Sequence, residues 1–119
     1  MSKGGFRVPD YLSHILQAIG RINHYTEDMT ELGFLENEQV QDAVIRNIEI
    51  IGEAAKNIEH HYPGFASLHP EVPWGDMYVM RNRVSHGYFT VDLEIVWKTI
   101  QNDLPGLSIQ LTELLDDMR

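Results

Sequence analysis

Apolar residues recur every three or four positions along most of the chain, a spacing that predicts helices. Tyr11, Leu12, Ile15, Leu16, Ile19 and Ile22 mark a first helix that begins near Pro9 and reaches about Met29. Proline suits a first turn, where the N–H it lacks would have no intrahelical partner. Gly33 breaks the pattern. Asn37, followed by Glu38, then opens a second helix whose apolar positions Val40, Val44, Ile48, Ile51, Ala55 and Ile58 step by four and three to about His60. From Tyr62 to Pro73, the density of Pro63, Gly64, Pro70 and Pro73 predicts the one long irregular connection. A third helix follows Trp74 and carries Met77, Met80, Arg81 and Val84, with Gly87 as its stop. Asp92 caps a fourth bearing Leu93, Val96, Trp97 and Ile100, and Pro105 begins a fifth with Leu107, Ile109, Leu111, Leu114 and Leu115. No segment sustains the period-two alternation of a strand, so the expected architecture is an all-α bundle of about five helices.

Length and composition fit one domain across residues 1–119, with 1–7 as a flexible N-terminus. A chain of 119 residues that is 43% hydrophobic can bury one core but not two. There is no cysteine, which excludes disulfides and thiolate metal sites. The N-terminal stretch lacks the apolar centre of a signal peptide, and no run approaches the ~20 apolar residues of a membrane span. The expectation is therefore a cytoplasmic protein with no membrane association.

Charge narrows the function further. The 18 Asp and Glu against 9 Lys and Arg leave a formal charge of −9, which argues against general nucleic-acid binding. Yet no acidic residue lies between Met77 and Val91, and that window holds Arg81-Asn82-Arg83-Val84-Ser85-His86-Gly87-Tyr88. Arginine offers a planar fork of donors suited to phosphoryl oxygens, and histidine exchanges a proton near neutrality. Together these residues are suited to metal-free RNA cleavage; the plainer reading is a helix end with an exposed Arg and a His near the C-terminal dipole. On a continuous helix, Arg81 and His86 lie ~140° apart around the axis. Unwinding at Gly87, or pairing two protomers about a two-fold axis, would bring them together.

Arg81, four residues, His86, one residue, Tyr88, with Asn82 directly after the arginine, resembles the R-x4-H-x-Y signature of HEPN-domain ribonuclease toxins of the HepT type. Further segments resemble that family in order: Arg46 to Lys56, Val72-Pro73-Trp74, Val91 to Trp97 and Asn102 to Pro105. The resemblance implies a HEPN-type bundle, a homodimer with the motif at its interface, and a metal-independent endoribonuclease without cofactor. It implies Arg81 and His86 as catalytic residues, with the third helix and the Trp74 region at the dimer interface. It also implies a minimal nucleotidyltransferase antitoxin that transfers AMP to Tyr88.

The remaining candidates are supporting ones. Asn82 is placed to hold His86 or a phosphate oxygen, Ser85 is a weaker candidate for the same task, and Arg83 to steer RNA. Glu53, beside Gly52, Ala54 and Ala55, sits where another helix can approach and leave it partly buried; it would orient Arg81 or His86, or pair within its own helix with Lys56 or Arg46. Asn47, earlier on that helix and read as sharing its side, is a further polar candidate. His60, His61 and His69 lack the spacing of a metal site. Trp74, Trp97, Phe34 and Phe65 are expected as core or interface anchors. Two other readings remain: a non-catalytic nucleotide- or substrate-binding partner subunit of a nucleotidyltransferase, and a plain dimerisation bundle.

Overall fold

The computed structural model describes residues 5–86 and 91–118, the side chains of Ser85 and His86 excepted. Among the described residues there are seven helices and no strand. The apolar spacing of the first segment becomes α1 (Val8–Thr26), which buries Leu12, Ile15, Ala18, Ile19 and Ile22. Its start is fixed by Asp10, whose carboxylate accepts the Arg7 backbone N–H at 2.8 Å. The helix ends earlier than expected, at Thr26, whose hydroxyl donates back to the Ile22 carbonyl at 2.8 Å.

Two elements depart from the sequence expectation. Gly33 does not break the structure but lies inside a short helix, α2 (Glu31–Leu35), capped by the Thr30 hydroxyl, which accepts the Gly33 N–H at 3.0 Å. Burial of Phe34, fully enclosed against Trp97 with ring centroids 5.4 Å apart, holds this turn in place. The connection after Tyr62 likewise contains α4 (Pro63–Leu68), with Pro63 in its first turn. No residue of α4 is fully buried, although Phe65 and Ala66 rest on the core. The bundle therefore has seven helices where about five were expected.

The other helices follow the predicted pattern. α3 (Glu38–His61) is capped by Asn37, whose side chain accepts the Val40 N–H at 3.1 Å. α5 spans Trp74–His86, so Gly87, the expected stop, lies just outside the described residues. Asp92 caps α6 (Leu93–Asn102) by accepting from Glu94 and Ile95 at 3.0 and 3.3 Å. Pro105 sits in the first turn of α7 (Leu104–Asp117), which buries Leu104, Leu107, Leu111 and Leu115. The Gln110 amide of α7 donates to the Glu71 carbonyl at 3.0 Å and ties that helix to the loop before α5.

α3 is the central helix, packed along α1 on one side and α5 on the other. It runs antiparallel to α5, since Gly52 meets Arg81 whereas Lys56, one turn later, meets Tyr78, one turn earlier. The approach at Gly52 is unusually close: a Cβ there would collide with the Arg81 Cβ, with the Met77 carbonyl oxygen at 2.8 Å and with the Arg81 Cγ at 2.9 Å. Only glycine lets the two backbones meet at this depth. Trp74 anchors the start of α5; it is buried, and its indole N–H donates to the His69 carbonyl at 3.1 Å. It is a core anchor, one of the two roles expected of it.

The close approach makes a paired stability prediction. Glycine to alanine inside a helix ordinarily stabilises by about 0.5–1 kcal/mol. Gly20→Ala, where an added Cβ meets nothing within 4 Å, should behave that way in urea denaturation. Gly52→Ala should instead lose about 1–3 kcal/mol through overpacking. Equal stabilisation of both variants would show that α3 and α5 do not meet as described.

Candidate active site

The site grows from the Gly52 contact. Because α3 and α5 touch there, the Arg81 side chain emerges at the rim of the helix pair, 27% exposed, and its guanidinium is held from three directions. Nη2 reaches the Glu53 carboxylate at 3.3 Å. Nη1 donates to the Asn82 Oδ1 at 2.9 Å. The third contact is the Tyr78 ring, whose centroid lies 5.9 Å from Cζ. Glu53 thus reaches across to Arg81 and not along its own helix; Arg46 pairs with Glu49 instead, at 3.9 Å. The Glu53 side chain is half exposed. An exposed pair of this kind contributes about 0–1 kcal/mol, so its main effect is to restrict where the guanidinium points.

Asn47 does not share that arrangement. Six residues at ~100° each place it ~120° around α3 from Glu53, and it faces the core at 4% exposure. Its amide donates to the Ala43 carbonyl at 2.9 Å, while its Oδ1 has no partner among the described residues. Arg83 is exposed on α5, and no ion pair forms on it among the described residues. His86 is the last residue of α5; its side chain and that of Ser85 lie outside the described set, as does the whole of Tyr88. His69 pairs with Glu71 at 3.3 Å, and no cluster of three potential metal-ligating His, Asp or Glu occurs among the described residues.

Two further residues belong to this neighbourhood: Tyr78, which sequence reasoning passed over, and Lys56, expected there only as an intrahelical partner of Glu53. The Lys56 Nζ lies 5.3 Å from the Tyr78 ring centroid, so two cations flank one aromatic ring. A hydrogen bond with Asn82 is the largest influence pulling the Tyr78 phenol below the ordinary tyrosine range. The positive field of Lys56 follows; desolvation opposes both, and the field of Arg81 and a hydrogen bond with Lys56 add lesser pulls downward.

Two grooves meet at Arg81. One, of about 450 Å³, lies between α1 and α3 and is lined by Phe6, His14, Arg46, Asn57 and Arg81 among others. The other, of about 690 Å³, lies between α5 and α6 and contains Tyr78, Asn82 and Arg83 together with Val79 and Ile95, which are 47% and 46% exposed.

A largely buried arginine oriented on a helix rim, five residues ahead of a helix-terminal histidine, has the donor geometry to meet an anion. Residues 15–114 match the family model of the HepT-like ribonucleases. The chain is 44% identical over 105 residues to a Thermococcus cleftensis protein named "Probable ribonuclease HepT", covering 88% of this chain and 93% of that one. Two Methanocaldococcus jannaschii proteins, both with "putative RNase" in their names, are 39% and 36% identical over 108 residues, or 91% of this chain. The match covers 87% of the second; it covers 47% of the first, whose name also includes a gamma-glutamylcyclotransferase. No solved structure matches the chain. The chain belongs to the HepT-like ribonuclease family.

The Tyr78 environment sets a pH prediction. Its folded pKa lies below the unfolded value of 10.0, so the phenolate is favoured by the fold. Stability should rise as pH climbs through the folded pKa and reach its full gain above ~10, with no contribution at neutrality. Ultraviolet titration should show a low-titrating tyrosine that Tyr78→Phe removes and Lys56→Gln moves back toward the ordinary value. An unchanged titration curve in both variants would contradict the arrangement.

Proposed function

We propose that this chain is a metal-independent endoribonuclease, the toxin of a pair whose antitoxin is a minimal nucleotidyltransferase acting in the cytoplasm. The observation that carries the reading is Arg81: in a chain of the HepT-like ribonuclease family, its guanidinium is pre-oriented on a helix rim five residues before His86. The reaction is transesterification. A ribose 2′-hydroxyl loses its proton and attacks the adjacent phosphorus, the bond to the 5′-oxygen breaks, and that oxygen takes up a proton. His86 serves as the proton-transfer group, and Arg81 stabilises the charge that grows on the phosphoryl oxygens. DNA lacks the 2′-hydroxyl, so the chemistry itself selects RNA.

The active form is a homodimer. α5 remains helical through His86, so positions 81 and 86 diverge by ~140° and a single protomer does not readily aim both at one phosphate. Two-fold pairing supplies Arg81 from one protomer and His86 from the other. The groove flanked by the exposed Val79 and Ile95 supports this reading, because it gives the motif helix an apolar surface for a second copy. Asn82 and Glu53 hold Arg81, Ser85 supports His86, Arg83 steers RNA, and Asn47 serves the core. Tyr88 is the acceptor of AMP, whose phosphate would compete with RNA for Arg81.

Arg81→Ala and His86→Ala should each reduce RNA cleavage by ~10²–10⁴ while leaving the helical content unchanged, and EDTA should not affect the wild type. Mixing the two variants should restore part of the activity through heterodimers with one composite site. Near-normal cleavage by His86→Ala would remove it from the mechanism, and no recovery after verified subunit exchange would make each site self-contained. Tyr88→Phe should cut RNA yet escape neutralisation by the nucleotidyltransferase and ATP. Its full neutralisation, with AMP elsewhere or nowhere, would leave complex formation as the better account.

A further inference from the structure

Lys56 is an exposed lysine on the central helix of an acidic protein, and it makes no ion pair among the described residues. Glu53, three residues earlier and thus within intrahelical reach, is engaged by Arg81 instead. The ammonium rests beside the Tyr78 ring, 5.3 Å from its centroid, and the Arg81 guanidinium lies 5.9 Å from the same centroid. An exposed cation–π contact contributes only about 0.5–1 kcal/mol to each. Arg81 has Glu53 as a counter-charge, whereas Lys56 is held only beside the ring. An RNA strand supplies a row of anions at a spacing that two neighbouring cations can follow.

We propose that Lys56, positioned by the Tyr78 ring, binds the RNA phosphate next to the one held by Arg81, so that the pair grips two successive phosphodiesters of the substrate strand. This deepens the ribonuclease reading and rests on it. Tyr78 is a positioning residue: its ring fixes the relative placement of the two cations. Lys56 is a substrate-binding residue that meets a non-reacting phosphate. Its contribution is the same in ground and transition states and appears in KM, whereas Arg81 acts on the phosphate whose charge grows.

The arrangement also answers the charge problem. A protein of net charge −9 cannot draw RNA to its surface at large. Lys56 and Arg81 place two cations beside one ring at the edge of the α3–α5 pair, so contact is confined to the strand that lies across that edge.

The test uses the intact dimeric protein and a single-stranded oligonucleotide made uncleavable by 2′-O-methylation, with affinity measured across a salt series. Each phosphate contact to single-stranded nucleic acid contributes about 0.7 to the slope of log K against log salt. Lys56→Gln should reduce that slope by about 0.7 and weaken low-salt binding by roughly three- to tenfold; Lys56→Arg should restore both. In cleavage assays the Lys56→Gln loss should fall in KM, with little change in kcat. Tyr78→Phe, which keeps the ring, should retain the wild-type slope, whereas Tyr78→Leu should match Lys56→Gln in slope while remaining helical by circular dichroism. A slope for Lys56→Gln equal to wild type would overturn the proposal, and so would a loss confined to kcat. If the wild type cleaves RNA while Lys56→Gln is indistinguishable from it, only this subsite fails. If the wild type neither binds nor cuts RNA, the ribonuclease reading fails and the subsite with it.

Discussion

The close contact of α3 with α5 at Gly52 is the constraint from which the rest of the site follows. Helix axes usually stand 8–10 Å apart, at a distance set by the side chains between them. With no side chain at Gly52, the α5 backbone at Met77 and the root of Arg81 move into the space a Cβ would fill. Arg81 is thereby planted at a helix crossing, which is why its guanidinium lies within reach of Glu53 on the opposite helix and of Tyr78 one turn back on its own. Burial of Met77, Val84 and Trp74 around the crossing keeps the register. Functional chemistry and core packing here share the same few residues.

Much of this was legible in the chain. The long helices announced themselves because Ile, Leu and Val at three- and four-residue steps must share a face, and the caps Asn37 and Asp92 act where their side chains can satisfy the first free N–H groups. The two short helices were not legible. Five residues are too few to display a helical period, and α2 exists because Thr30 caps it and Phe34 is enclosed by α6, which is tertiary information. α4 was hidden by the very proline that starts it, since Pro63 reads equally as a loop residue and as a first-turn residue.

The site was legible only in part, for a related reason. Arg81 and Glu53 stood out by charge and by their small neighbours, but which residues of α3 face α5 depends on the register of the crossing. Had Gly52 been matched to Arg81 at the outset, antiparallel packing would have paired Lys56 with Tyr78, because one turn forward on α3 corresponds to one turn back on α5. Asn47 failed as a candidate by simple angle: six residues do not return a helix to the same face. Its Oδ1 lies in the core without a partner among the described residues.

The three restraints on Arg81 carry a thermodynamic consequence. An arginine free in solvent has about 2 kcal/mol of rotamer entropy to lose when it closes on an anion. Here much of that freedom is already gone in the folded chain, so capture of a phosphate requires little further ordering. The same neighbours also temper the grip, because Glu53 remains a negative charge beside any incoming phosphodiester. Under the proposed ribonuclease reading, a site pre-ordered yet electrostatically shared would hold a resting substrate loosely and respond most to an anion whose charge is increasing. Differential affinity of that sort, and not tight adhesion, turns binding into rate.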